Sequence, residues 1–382
     1  MTTLAADELV SLVSSVFPRF ETDKALAILV DVPRETERDN PDWRERRRLA
    51  HEWHALLDAR KAEIPLDEVK LVAYADVGSN NADLPAEAFL IDGTMPGSAA
   101  ELERAGQRVP FERIFAETQL FLAPTEFSTT APLKVAARRF RFRAATMPGF
   151  AASMIPALRI DYGEVARRVE TLQARLSQAD HALVSFLVDG RDGYGVHFDL
   201  RHRSAHASSG RFPDAGTAGN LPSGEAYIVP YEGEKGEPSR TAGTLPVEID
   251  GEVVLFAIQA NRAVDAAGHG PQAQAERAHL AKEPAYGNMA ELGFGVLADF
   301  GLEPIGEILL DEKLGLHVAF GRSEHFGGIV GPGDFSTPAA VIHLDRIYIP
   351  RVMPRIAVRE VELGHADGRR ETVMANGAYT IF

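Results

Sequence analysis

The sequence predicts an α/β domain over residues 1–180 and a β-rich α+β domain over residues 181–382. Three observations carry this. The 382-residue chain exceeds what one ordinary core serves. Up to about residue 178, short apolar runs alternate with amphipathic stretches, the grammar of a largely parallel sheet covered by helices. Beyond that point apolar runs follow one another across Gly- and Pro-rich turns, with one clear helical stretch near 272–282.

The elements follow in order. Leu4, Leu9, Val10, Val13 and Val16 recur at helical spacing over residues 3–16. Ala25 to Val32 reads as a buried strand. Asn40-Pro41 opens a helix running to about Lys61, since proline suits a first helical turn. Strands are expected over Val69–Ala75, Ala88–Ile91 and Gln119–Leu122, with helices near 98–106 and 110–117. Arg138-Arg139-Phe140-Arg141-Phe142-Arg143 alternates charge with ring and reads as a strand with one polar face. Val165, Val169, Leu172 and Leu176 line one face of a helix over 163–178. After it, His181–Val188, Gly193–Leu200, Ala226–Pro230, Val247–Ile258, Leu316–Gly321 and Val341–Ile349 read as strands.

Composition narrows the function. A net charge of −15 disfavours nucleic acid and anionic lipid as partners. The absence of cysteine excludes disulfides, thiolate metal sites and a thiol nucleophile, so any metal must be held by His, Asp and Glu. No basic segment precedes an apolar stretch in residues 1–18, and no window nears the ~20 apolar residues of a membrane span. A cytoplasmic protein is expected. There is no Gly-x-Ser-x-Gly. Neither Gly331-Pro-Gly333 nor Gly216-Thr-Ala-Gly219 forms a phosphate-cradling loop before a helix. His197, His202 and His206, near Asp199 and interleaved with Arg201 and Arg203, read as exposed strand residues.

Four segments gather acids and histidines beside glycines: Asn220-Leu-Pro-Ser-Gly-Glu225, Gly287-Asn-Met-Ala-Glu291-Leu-Gly-Phe-Gly295, Asp311-Glu312-Lys-Leu-Gly-Leu-His317-Val-Ala-Phe-Gly321 and Val341-Ile-His343-Leu-Asp345. Residues two apart on a strand share a face, so His343 and Asp345 project together and can chelate one divalent ion. His317, flanked by Leu316 and Val318, points away from the apolar side. Glu225 and Glu291 stand beside glycines that let backbone come close. Each segment alone is a weak signal; their joint occurrence between Asn220 and Asp345 makes the metal-site hypothesis.

Taken together, and in this order, the four segments resemble the thermophilic aminopeptidase T family of metallo-aminopeptidases over about residues 185–350. The resemblance implies that Glu225, Glu291, His317, His343 and Asp345 ligate two adjacent divalent ions such as Zn, Co or Mn. It also implies that Glu312 is a further ligand or the general base, and that the chain forms a homodimer enclosing its active sites. The substrate would be a peptide or small molecule. The family's Tyr after the third-segment His is replaced here by Glu324 and His325 in Gly321-Arg-Ser-Glu-His-Phe-Gly-Gly. The chain also resembles ring-cleaving dioxygenases of the 2,5-dihydroxypyridine type, which implies one Fe(II) on Glu291, His343 and Asp345. A third alternative is a non-catalytic peptide-binding protein on the same scaffold.

Overall fold

A computed structural model describes residues 3–382. The chain divides into two compact units. One holds residues 1–166 and 210–223, the other 167–209 and 224–382. The division differs from the single cut expected at residue 180. It falls inside the Tyr162–Gln178 helix, and a later segment returns to the first unit because its strand Thr217–Asn220 pairs in parallel with Arg143–Thr146.

The first unit is built on a seven-stranded sheet. Its order is Thr217–Asn220, Arg143–Thr146, Leu120–Ala123, Ala25–Val32, Glu68–Ala75, Glu87–Ile91, Gly106–Pro110. The first five strands run parallel and the last two are antiparallel additions. Ala25–Val32 is buried at every residue, as a central parallel strand covered on both faces requires. The Pro41–Arg60 helix starts where Asn40 accepts the Trp43 amide at 2.8 Å.

The arginine run is not a strand. Residues Thr130–Phe140 are helical, with Leu133 and Ala137 buried, and Arg141 leaves the helix in the left-handed region at φ 66°. Arg143 opens a buried strand and is itself 1% exposed. Its guanidinium pairs with Asp23 at 2.6 Å and donates to the carbonyls of Pro18 and Phe212. The alternation of Arg and Phe imitated a strand period across a helix end.

Asp31, fully buried near the end of Ala25–Val32, accepts from the amides of Glu126 and Phe127 and from the Trp43 indole at 2.8–3.1 Å. Burial pushes its carboxyl from the ordinary 3.8 to about 6, against the pull of those donors. The folded state therefore holds this proton more tightly than the unfolded chain. The resulting stability is complete below about pH 4 and is lost as pH rises through 6, amounting to about 3 kcal/mol. Asp31→Asn loses one acceptor at all pH values but removes this dependence. Its stability relative to wild type should rise by about 2 kcal/mol between pH 4 and 7, read from urea midpoints. A difference flat in pH would refute the assignment.

The second unit contains two antiparallel sheets. The larger has eight strands in the order Arg262–Ala267, Glu252–Gln259, Ala242–Ile249, Asp192–Asp199, His181–Val188, Ile356–Gly364, Arg370–Ala375, Ala378–Tyr379. The stretch expected as one strand over Val247–Ile258 is a hairpin. Asp250 and Gly251 turn it at φ 49° and 80°, an Asp-Gly pair suited to a tight turn. The smaller sheet has the order His343–Ile347, Leu316–Gly321, Met289–Gly295, Glu225–Ile228, His206–Ser208. One of its faces meets the larger sheet through Phe320 on Phe256, ring centroids 5.1 Å apart. Its other face carries the acids and histidines. Among the described residues no helix is long and apolar enough to cross a membrane.

Candidate metal centre

Register explains how four distant segments meet. Directly opposed residues in an antiparallel pair share a face. Glu225 opposes Gly295, Tyr227 opposes Gly293, Gly293 opposes His317, Glu291 opposes Ala319, Ala319 opposes Asp345, and Gly321 opposes His343. Alternation along each strand then puts Glu225, Glu291, His317, His343 and Asp345 on one face. A bulge between Met289 and Glu291 then breaks the alternation, so that Met289 opposes Phe320 of the other face and the shared face ends on this strand at Glu291. Leu292, Phe294, Val318 and Phe320 alternate to the other face and are buried.

The residues fall into two groups, Glu225–Glu291–His317 and Glu291–His343–Asp345, each with its donor atoms within 4.8 Å of one another. Glu291 belongs to both. Its Oε1 lies 3.3 Å from His317 Nε2 and its Oε2 lies 3.3 Å from His343 Nε2. His317 Nε2 also stands 3.4 Å from Glu225 Oε2, and His343 Nε2 stands 3.7 Å from Asp345 Oδ1. Each imidazole spends Nδ1 on a backbone carbonyl, Gly315 at 3.2 Å and Arg322 at 2.8 Å. That fixes the ring and leaves Nε2 for the cluster, the usual arrangement of a ligating histidine.

Small residues make the room. A Cβ at Gly293 would stand 2.0 Å from His317 Nε2, and one at Gly295 would stand 2.2 Å from the Lys313 backbone. Gly293 therefore lies beneath the first group, and Ala319 lies between Glu291 and Asp345 in the register.

Lys313 completes the cluster. It is 2% exposed; its ammonium lies 2.6 Å from Glu225 Oε1 and also contacts Glu312 Oε1. Burial would lower its pKa, but the two carboxylates outweigh burial and hold it charged. Four carboxyl groups stand against this single ammonium in a buried site, so negative charge is in excess there. The imidazoles respond: burial opposes their protonation, but Glu291, with Glu225 beside His317 and Asp345 beside His343, raises both, His317 to about 9. Glu291 is driven down despite its burial by the two histidines. Burial, with Asp345 and Glu225 adding to it, pushes Glu312 up to about 8 against the pull of Lys313.

Glu225 Oε2 is buried and has no hydrogen-bond partner among the described residues. Such an oxygen is costly unless it has another partner. A cluster of O and N donors with an orphaned carboxylate oxygen and two pre-aimed imidazoles fits hard or borderline divalent cations.

Of the residues expected here from sequence, Glu225, Glu291, His317, His343 and Asp345 are brought together. Glu312 reaches the cluster through Lys313. Glu324 turns outward to form a fork with Arg322 at 2.6 and 2.8 Å. His325 is exposed, with its ring edge-on to that of His343 at 5.3 Å. Among the described residues, the histidines near Asp199 gather no metal group. His197 stacks on His181, His206 stacks on Tyr227, and Asp199 is buried against Arg201.

Sequence reasoning missed Lys313, Tyr227 and the brace around Glu232. That carboxylate accepts from Asn288 Nδ2 at 2.7 Å, Ser323 Oγ at 2.6 Å and the Ile329 amide at 2.6 Å, pinning the turn after His317. Tyr227 was within reach, since it lies two residues after Glu225 on the same strand.

No protein-family model matches the chain, and no curated protein matches it. Among solved structures, it is similar to 2,5-dihydroxypyridine dioxygenase from Pseudomonas putida KT2440. The TM-score is 0.59 and the identity 15%, over 99% of each chain. It is also similar to wild-type AmpT from Thermus thermophilus, with a TM-score of 0.54 and 14% identity, over 98% of this chain and 99% of that one. These likenesses establish a shared two-domain α/β fold.

Proposed function

We propose that the chain is a metal-dependent enzyme, and specifically an aminopeptidase that holds two divalent ions on Glu225, Glu291, His317, His343 and Asp345. The observation that carries this reading is the position of Glu291, whose two oxygens face two histidines in two separate donor groups. A carboxylate so placed is suited to bridge a pair of cations. The orphaned Glu225 Oε2 gives the first group a reason to hold an ion of its own.

Divalent ions bound there would supply an activated water and polarise a peptide carbonyl. The protein's own groups do the rest. Glu312, tethered through Oε1 to Lys313, keeps Oε2 for proton traffic. A carboxylate placed there is suited to take a proton from the attacking water and deliver it to the leaving amine as the C–N bond breaks. Lys313 holds that carboxyl in place and compensates Glu225. His325 lies beside His343, with ring centroids 5.3 Å apart.

One observation favours the second reading, a ring-cleaving dioxygenase with a single Fe(II). Lys313 already neutralises Glu225, so Glu291, His343 and Asp345 can act as the only metal group. The test is turnover. Protein reconstituted with Zn, Co or Mn is expected to release the N-terminal residue from dipeptides or aminoacyl amides. Oxygen consumption with Fe(II) and a dihydroxypyridine, without peptide turnover, would transfer the assignment to the dioxygenase.

A further inference from the structure

We propose that a row of aromatic rings beside the metal face is a subsite for an aromatic side chain on the substrate's N-terminal residue. This rests on the aminopeptidase reading and names its substrate class. Tyr227 shares a face with Glu225 and opposes Gly293, which in turn opposes His317. Its ring stands at the flank of the first donor group, across a position with no side chain. From Tyr227 the rings continue in both directions. His206 stacks on it at 5.2 Å toward the sheet edge, and Phe326 meets it at 4.8 Å. Phe326 packs on His325 at 4.0 Å and meets the His343 ring at 5.3 Å and 74°. The row thus runs from the edge strand to a proposed metal ligand.

Two features set this row apart from core packing. Tyr227 and Phe326 are only half-buried, and His206 and His325 are exposed, so ring surface is left for a partner. The turn that presents Phe326 is also held rigidly. Ser323 and Ile329, on either side of it, both donate to the buried Glu232, and Gly327 takes φ 96°. A Cβ at Gly328 would stand 2.2 Å from Ser323 Oγ. A preformed wall of this kind gains affinity by not having to order on binding.

An aromatic ring entering the row can pack edge-to-face or offset against Tyr227 and Phe326. Such pairs favour an aromatic over a methyl side chain by on the order of tenfold, beyond the area they bury. The test uses probes that chelate the metals without being turned over, L-phenylalanine hydroxamate and L-alanine hydroxamate, titrated calorimetrically into Zn-loaded protein. The phenylalanine compound is expected to bind about tenfold tighter. That ratio should fall below about twofold in Tyr227→Ala and in Phe326→Ala, each checked for metal content. Equal affinities in wild type, or a ratio that survives both substitutions, would overturn the subsite while leaving the metal centre standing. If neither hydroxamate binds the metal-loaded protein, the metal-centre reading is overturned, and the subsite with it.

Discussion

Replacing Glu291 by alanine is expected to empty both donor groups at once. Its two oxygens are the only atoms shared by Glu225–Glu291–His317 and Glu291–His343–Asp345. Removing them leaves Glu225 with His317 on one side and His343 with Asp345 on the other, two donors each. Metal content should fall from two ions per chain to below one. Activity should fall by more than the 10–100-fold that loss of an outer-shell partner costs. Glu225→Gln is the informative comparison, since it changes one group alone. It should lose one ion and keep the other. If Glu291→Ala and Glu225→Gln lose the same single ion, the carboxylate does not bridge.

Gly293→Ala should have nearly as large an effect while adding only a methyl group. The new Cβ would stand 2.0 Å from His317 Nε2, 2.3 Å from Cε1 and 2.7 Å from Cδ2. His317 is 1% exposed and its Nδ1 is tied to Gly315, so the ring has no free space to enter. Overpacking of this kind costs about 1–3 kcal/mol. The ring must rotate away from Glu225 and Glu291, which opens the first donor group. Loss of one metal ion with a lower melting temperature is expected. Normal metal content in Gly293→Ala would mean that His317 is not a ligand. Ala319→Gly, which deletes a methyl group on the same face, should leave metal content intact.

What the sequence disclosed, and what it hid, follow from the range of each signal. The apolar run Ala25–Val32 matches its strand end to end because complete burial makes every residue informative. The face shared by His343 and Asp345 follows from a two-residue period that needs no tertiary knowledge. That Glu225, Glu291 and His317 join them depends on register between strands up to 120 residues apart. Such register leaves no local mark. The resemblance to the aminopeptidase T family filled that gap by bringing the four segments together. Lys313 escaped notice because a buried lysine reads like an exposed one in sequence; only the carboxylates of Glu225 and Glu312 around it reveal its place. The arginine run was misread because an alternating pattern that crosses a helix end looks like a strand until Arg141 is seen at positive φ. The Asp250-Gly251 turn, by contrast, was visible in the sequence and was passed over inside a longer apolar run.

The central claim is that one sheet face holds two cations on either side of Glu291. The most direct test is a crystal of the Zn-loaded protein measured at the zinc absorption edge. Two anomalous peaks per chain are predicted, one between Glu225, Glu291 and His317 and the other between Glu291, His343 and Asp345. A single peak at the second group would contradict the dinuclear account and support the mononuclear one. A peak at neither group would contradict both.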